Sequence, residues 1–239
     1  MIIKHGMVLA AGLGTRMRPL TLTTPKPLVE VAGRTLIDRA LDRFDEAGVT
    51  DAVVNLHHLS RQIETHLERR TQPAIYFVHE DPVLETGGGV QNALAHLGEG
   101  PFYVCNSDGL WLDGARPALA RLNAAWDDDT MDGLLLLHDP AEAFGYDGPG
   151  DFTMGTDGKL ARRRDGDQGM RVFTGVQILH PRLFAEAPGG VYSLNVLYDR
   201  ALAAGRLFGL IHDGEWHHVG TLDALAQTDA HLRTRESGA

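Results

Sequence analysis

The chain is short of three things, and each shortage excludes a class. It has a single cysteine, Cys105, among 239 residues, so no disulfide can form within it. The apolar, strand-like run around that thiol suits a packed side chain better than a nucleophile. No apolar run approaches the roughly 18 residues a membrane-spanning helix needs, and no charged-then-apolar leader is present; the expectation is a cytoplasmic protein without membrane contact. Positive charge is scarce: 22 Lys and Arg against 32 Asp and Glu leave a net charge of -10, the wrong sign for a general nucleic-acid surface. Any anion site must therefore be locally basic. No internal repeat or low-complexity tract is evident.

The apolar content is 43%, enough for one large domain with a substantial core, spanning residues 1–239. Short apolar runs alternate with helical patterns, the βαβ rhythm of a mostly parallel α/β sheet flanked by helices. Strands are expected at Met7 to Ala11, Ala52 to Asn55, Ile75 to His79, Phe102 to Asn106, Gly133 to His138, Arg171 to Leu179 and Leu207 to Ile211. Helical spacing marks Leu36-Ile37-Ala40-Leu41-Phe44, which stops at Gly48, then Ile63 with Leu67, then Val90-Ala93-Leu94-Leu97. Ser193 and Thr221 are expected to cap two later helices. The stretch Ala143 to Gly169 is rich in Gly and Asp, and reads as loops and a β excursion carrying a ligand surface.

The most informative segment is Leu9-Ala10-Ala11-Gly12-Leu13-Gly14-Thr15-Arg16-Met17-Arg18-Pro19, followed by Pro25-Lys26-Pro27. A buried strand ends in glycines that leave backbone N-H groups uncovered, so polyphosphate can approach. Arg16 and Arg18 offer donors suited to phosphate, and Lys26 adds a point charge between two stiffening prolines. A dinucleotide fingerprint would need a third glycine near position 17, and a P-loop would need Gly-Lys-Ser/Thr. Met17 and Arg18 fit neither. The pattern points to a nucleoside triphosphate attacked at its α-phosphate.

Leu9 to Val31 resembles the signature of the sugar-1-phosphate nucleotidylyltransferases. Further segments follow in that family's order: Leu84-Glu85-Thr86-Gly87-Gly88-Gly89, Asn106-Ser107-Asp108, Gly150-Asp151-Phe152, Phe173-Thr174-Gly175, Leu179-His180-Pro181 and Trp216-His217-His218-Val219-Gly220-Thr221. The resemblance implies a Rossmann-like sheet of the nucleotide-diphospho-sugar transferase type, with a nucleotide half over residues 1–140 and a sugar half with closing helices over 141–239. Within the family, the Glu-Thr-Gly-Gly-Gly form and the short length look most like the branch that uridylylates N-acetylmuramate 1-phosphate in bacterial cell-wall recycling. That implies UTP and a sugar 1-phosphate as partners, and Mg²⁺, with Mn²⁺ as an alternative, as cofactor. A guanylyltransferase for another sugar 1-phosphate, another uridylyl- or thymidylyltransferase, and a non-catalytic nucleotide-sugar-binding regulator are the competing readings.

Ligands of open α/β sheets bind beyond the carboxyl ends of the strands, which gathers Gly12 to Arg18, Glu80 to Gly89 and Asn106 to Asp108 around one crevice. The expected nucleotide contacts are Leu9, Ala10, Ala11, Gly12, Gly14, Thr15, Arg16, Lys26, Glu80, Gly87, Gly88 and Asn106. Glu80 could accept from the base edge of uracil or guanine, or be a solvated loop acid. The glycines after Thr86 would let the backbone approach base or ribose. Asp151, Thr174 and Gly175 are the candidate sugar contacts. Asp108, ending a buried strand, suits a hard cation and is by resemblance the principal metal ligand; Asp113 is weaker, because caps are common in its turn.

Two departures from the family pattern stand out. His218 occupies the place of an expected second metal-binding aspartate, so either it ligates the ion and shifts metal preference, or it hydrogen-bonds phosphate or a metal-bound water. Strand alternation sends His217 to the opposite face. No Glu-Lys-Pro segment supplies a second phosphate-binding lysine; Arg162, Arg163 and Arg164 are the nearby basic residues, equally readable as a surface charge run. His57 and His58 read as solvated loop histidines or as sugar-site lining. The expected chemistry is in-line attack of the sugar phosphate on the α-phosphorus, with Arg16 on the leaving pyrophosphate and Lys26 on the α-phosphate.

Overall fold

The structure, a computed structural model, describes residues 2–164 and 166–238. In chain order the elements are β1 (His5–Leu9), β2 (Glu30–Val31), β3 (Arg34–Thr35), α1 (Leu36–Glu46), β4 (Asp51–Leu56), α2 (Ser60–Leu67), β5 (Ala74–His79), α3 (Glu85–Ala93), β6 (Phe102–Asn106), β7 (Gly109–Leu112), α4 (Ala118–Ala125), β8 (Gly133–His138), β9 (Phe152–Met154), β10 (Leu160–Arg162), β11 (Val172–Leu179), α5 (Asn195–Ala203), β12 (Leu207–Ile211), β13 (Glu215–His218) and α6 (Leu222–Gly238). Seven strands form one sheet in the order β12-β8-β11-β6-β1-β4-β5. Six run parallel. β11 lies antiparallel between β6 and β8, which the βαβ rhythm did not foretell.

Both faces of the sheet are covered, and so the strands read as continuous apolar runs rather than alternating ones. Successive side chains still diverge. Val8, Val54, Tyr103 and Leu134 join the cluster under α1, α2 and α4, while their neighbours Met7, Val53, Val104 and Leu135 join the one under α3 and α5. Phe44, fully buried on the first face, anchors α1; truncating such a ring to Ala costs about 3–5 kcal/mol. Thr35 caps α1 by accepting from the Asp38 N-H at 3.2 Å, and Gly48, at φ 80°, ends it where the sequence indicated.

Several sequence expectations shift at their edges. β1 stops at Leu9 instead of Ala11, because the Ala10 N-H leaves the ladder to donate to Asn55 Oδ1 at 2.7 Å. The helix expected over Val90 to Leu97 begins earlier, at Glu85, and closes in a single 3₁₀ turn, Leu94–His96. Thr221 Oγ1 accepts from the Ala224 N-H at 3.2 Å, the cap expected there, whereas the N-cap position of α5 falls to Leu194, and Ser193 just before it accepts from the Asn195 N-H at 3.3 Å in a local turn. The excursion contains the short antiparallel pair β9-β10. Cys105 is buried in β6, and burial pushes its thiol pKa far up, as befits a packed side chain. No helix among the described residues is long and apolar enough to cross a membrane.

Candidate active site

A cleft of about 330 Å³ opens at the carboxyl ends of β1, β4 and β6. The glycine loop forms one wall through Leu9, Ala11, Gly12, Gly14, Thr15 and Arg16; Asn106, Ser107 and Asp108 form the floor; Glu80, Val83, Glu85 and Thr86 form the opposite wall. Gly14 sits at φ 60°, and a Cβ there would lie 2.9 Å from Thr21 Cγ2 and 3.3 Å from Lys26 Cβ. The loop can thus fold back over the segment that carries Lys26 only with glycine at this point. Arg18 is exposed and does not line the cleft, so the local positive charge comes from Arg16 and Lys26.

Lys26 is only 9% exposed, and its Nζ donates to Asp108 Oδ2 at 3.0 Å. Arg16 approaches the same oxygen at 4.0 Å. Burial raises the Asp108 carboxyl pKa, but the cations beside it, Lys26 foremost and Arg16 after it, outweigh burial and hold the group below the usual carboxylate range. Asp108 Oδ1 meets no hydrogen-bond donor among the described residues. An ionised carboxylate with one oxygen free, at the edge of an anion-binding loop, fits a divalent cation.

A two-stranded ribbon missed in the sequence brings the last piece. β13 pairs antiparallel with β7, setting His218 opposite Gly109 and Trp216 opposite Trp111; the apolar run Leu110-Trp111-Leu112 was its one local signal. This register carries His218 beside Asp108. Arg16 Nη1 and His218 Nε2 are 3.3 Å apart. A guanidinium can only donate, so Nε2 is the acceptor and the imidazole is neutral with its proton on Nδ1. Burial, together with Lys26 and Arg16, keeps the His218 pKa below its ordinary value despite Asp108. The Nε2 lone pair is thus spent on Arg16. His217 points to the other face, fully buried and stacked on Phe144, as alternation requires.

The opposite wall corrects several expectations. Glu80 is not a solvated loop acid: it is 4% exposed, with Oε1 accepting from Asn55 Nδ2 at 2.7 Å and Oε2 from the Leu84 N-H at 2.8 Å. Asn55 in turn accepts from Ala10, so a buried relay ties the glycine loop to the start of α3. Ala10 itself lies behind the cleft. The glycines of α3 serve packing: a Cβ on Gly87 would lie 2.3 Å from the Tyr192 ring, and one on Gly88 would lie 2.1 Å from the Gly190 carbonyl oxygen. Their N-H groups donate to the Tyr192 carbonyl at 2.9 and 3.0 Å, so Gly87 and Gly88 do not line the cleft. Glu85 does, holding φ 60° without being glycine, a strained backbone of the kind that persists only where its surroundings impose it.

The proposed sugar contacts are also differently employed. Thr174 is buried and donates to the Leu136 carbonyl at 2.8 Å, so its hydroxyl faces the sheet. Asp151 Oδ2 accepts from the Phe173 N-H at 2.8 Å. Gly175, at φ 86°, leaves room for the Asn106 side chain, 2.9 Å from where its Cβ would be. Neither His57 nor His58 is merely solvated: their rings bond the Glu80 carbonyl at 2.8 Å and the Thr21 carbonyl at 2.9 Å. Arg162 pairs with Asp199 at 2.7 Å and lies over the Phe152 ring at 4.9 Å. Asp113 caps α4 by accepting from Ala118 at 2.7 Å.

The nucleotidyl transferase family matches residues 5–153. The chain is 44% identical to the N-acetylmuramate alpha-1-phosphate uridylyltransferase of Caulobacter vibrioides, over 96% of this chain and 97% of that protein. It is 37% identical to the same-named protein of Neisseria meningitidis serogroup B, over 94% and 96%. Among solved structures, a UDP-glucose pyrophosphorylase in complex with UDP-glucose superposes with a TM-score of 0.80 at 19% identity, covering 98% of this chain and 99% of that one, a likeness of fold.

Proposed function

The chain belongs to the nucleotidyl transferase family and is an enzyme of nucleotidyl transfer; from that premise we propose that it joins UTP to N-acetylmuramate 1-phosphate, giving UDP-N-acetylmuramate and pyrophosphate. One observation carries the reaction: Lys26 and Arg16 converge on Asp108 beside a bare glycine loop, 3.0 and 4.0 Å from one carboxylate oxygen. The choice of uridylyl group and sugar follows the two relatives that match nearly end to end.

The sugar phosphate oxygen is already an anion at neutral pH, so no strong base is needed. It forms a new bond to the α-phosphorus while the bond to the bridging oxygen of pyrophosphate breaks in line. The barrier is repulsion between like charges and the entropy of alignment. Lys26, desolvated and held by its prolines, neutralises the α-phosphate and the incoming phosphate. Arg16, exposed at the rim, receives the leaving pyrophosphate. Asp108, through its free Oδ1, would hold a divalent cation, Mg²⁺ in first place with Mn²⁺ as substitute, which supplies further charge neutralisation at the phosphates. His218 keeps Arg16 in place and does not ligate the ion. Residues 1–140 serve the nucleotide and 141–239 the sugar, where Asp151 and Gly175 act by shaping the backbone and seating Asn106.

Pyrophosphate release across a panel of nucleoside triphosphates and sugar 1-phosphates tests the reading. Release is expected with UTP and N-acetylmuramate 1-phosphate above all other pairs. A different preferred pair would replace the substrates, and silence with every pair would overturn the reaction.

A further inference from the structure

On the face of β13 turned away from the cleft, Glu215, His217 and His231 bring three ligand atoms within 4.8 Å of one another. Glu215 Oε2 is the shared centre, 3.4 Å from His217 Nε2 and 2.8 Å from His231 Nε2. Its other oxygen, Oε1, is held by Arg235, which fixes the carboxylate and leaves Oε2 as the single donor turned toward the imidazoles. Phe144 covers the group, stacking on His217 at 4.4 Å and lying 4.9 Å from His231. Its backbone is clamped to β13 on both sides, with Phe144 N-H donating to Trp216 at 3.0 Å and His218 N-H donating to Phe144 at 2.8 Å.

We propose that Glu215, His217 and His231 form a second metal site, for a zinc-type transition-metal ion, separate from the catalytic cation at Asp108. Two imidazoles and one carboxylate make a borderline donor set that suits Zn²⁺ or Co²⁺ and poorly suits Mg²⁺. Zn-N and Zn-O bonds are about 2.0–2.2 Å, so donors 2.8 to 4.8 Å apart surround an ion with small side-chain adjustments. His217 brings a fully buried ring already fixed by stacking, Glu215 a carboxylate already oriented by an arginine outside the ligand set, and His231 the ligand from α6. The ion would staple α6 to β13. Since β13 also carries His218 into the cleft, the staple fixes the strand on which the Arg16 contact depends.

Untagged full-length protein, stripped with a chelator and titrated with Co²⁺, gives the test. One equivalent is expected to produce the visible absorption of low-coordinate Co²⁺, displaceable by Zn²⁺. Zn²⁺ at about a hundredfold excess over its dissociation constant should raise Tm by about 5–10 °C. Asp108→Ala should keep both signals. His231→Ala should weaken binding by more than about 100-fold while its circular dichroism stays at the wild-type level. No Co²⁺ band in the wild type would overturn the proposal, as would a band that survives His231→Ala and disappears in Asp108→Ala.

Discussion

Lys26 Nζ lies 3.0 Å from Asp108 Oδ2, although 82 residues separate them in sequence. The contact sets the Lys26 charge against the carboxylate and is the foremost of the attractions that hold the Asp108 pKa below the usual carboxylate range. Lys26→Ala is expected to lower turnover by about 10²–10³, the usual loss of one transition-state donor. Pyrophosphate release at saturating substrates measures it, and near-native turnover would remove Lys26 from the chemistry.

His218→Asp distinguishes the two roles open to that residue. Since Nε2 accepts from Arg16, the substitution should leave the ratio of Mg²⁺- to Mn²⁺-supported kcat/KM within about tenfold of wild type. A larger swing toward Mg²⁺ would make residue 218 a metal ligand.

The relay from Ala10 through Asn55 and Glu80 to Leu84 fixes the separation of the two cleft walls. Glu80→Gln puts an amide donor against either the Asn55 amide or the Leu84 N-H, and should cost about 1–3 kcal/mol of stability in denaturant titrations. The KM for UTP should rise with it, because the opposite wall loses its tie to the glycine loop. Unchanged stability would mean that Glu80 is free to read the base.

Two glycines separate folding from binding. Gly88→Ala drives a Cβ to 2.1 Å from the Gly190 carbonyl oxygen, whereas a Cβ on Gly12 meets nothing within 4 Å. Gly88→Ala should destabilise by about 1–3 kcal/mol. Gly12→Ala should stay within about 0.5 kcal/mol of wild type and raise the KM for the nucleotide. Calorimetry and steady-state kinetics on the pair check both halves.

Acid sensitivity should centre in part on Asp38. Partial burial raises its carboxyl pKa, but hydrogen bonds from Thr35 and His66 and the charges of His66 and Arg34 bring it below the ordinary value. A carboxyl depressed by folding contributes stability above its unfolded pKa of about 4 and loses it as pH falls through the folded value. Asp38→Asn should therefore be less stable than wild type near neutrality, with the gap closing below about pH 4. A gap that does not change with pH would contradict the shift.

The sequence made legible whatever depends on neighbours along the chain. The 3.6-residue spacing of Leu36, Ile37, Leu41 and Phe44 needs only one helix, and the apolar run ending in Asn106-Ser107-Asp108 needs only one strand. What it hid was set by distant partners. The antiparallel course of β11 and the pairing of β7 with β13 are choices among strands that look alike locally. The three glycines of α3 suggested open backbone for a ligand, but Gly87 and Gly88 meet Tyr192 and Gly190, about a hundred residues on, and Gly89 meets the Glu80 and Asn55 side chains. Asn55 could have been found: a polar residue at the end of a buried strand carries the same signal that marked Asp108.

The reversed direction of β11 has a further result. Because it runs against β6 and β8, the strand begins at the cleft and finishes at the far edge of the sheet, so residues 141–171 leave and rejoin the scaffold on the same side. The excursion is nonetheless rooted in the scaffold, with Phe152 and Leu160 in the core under α3 and α5 and Phe144 bonded to β13. A change of length confined to its exposed turns would therefore leave the register of β1 and β6, which carry the glycine loop and Asp108, unaltered.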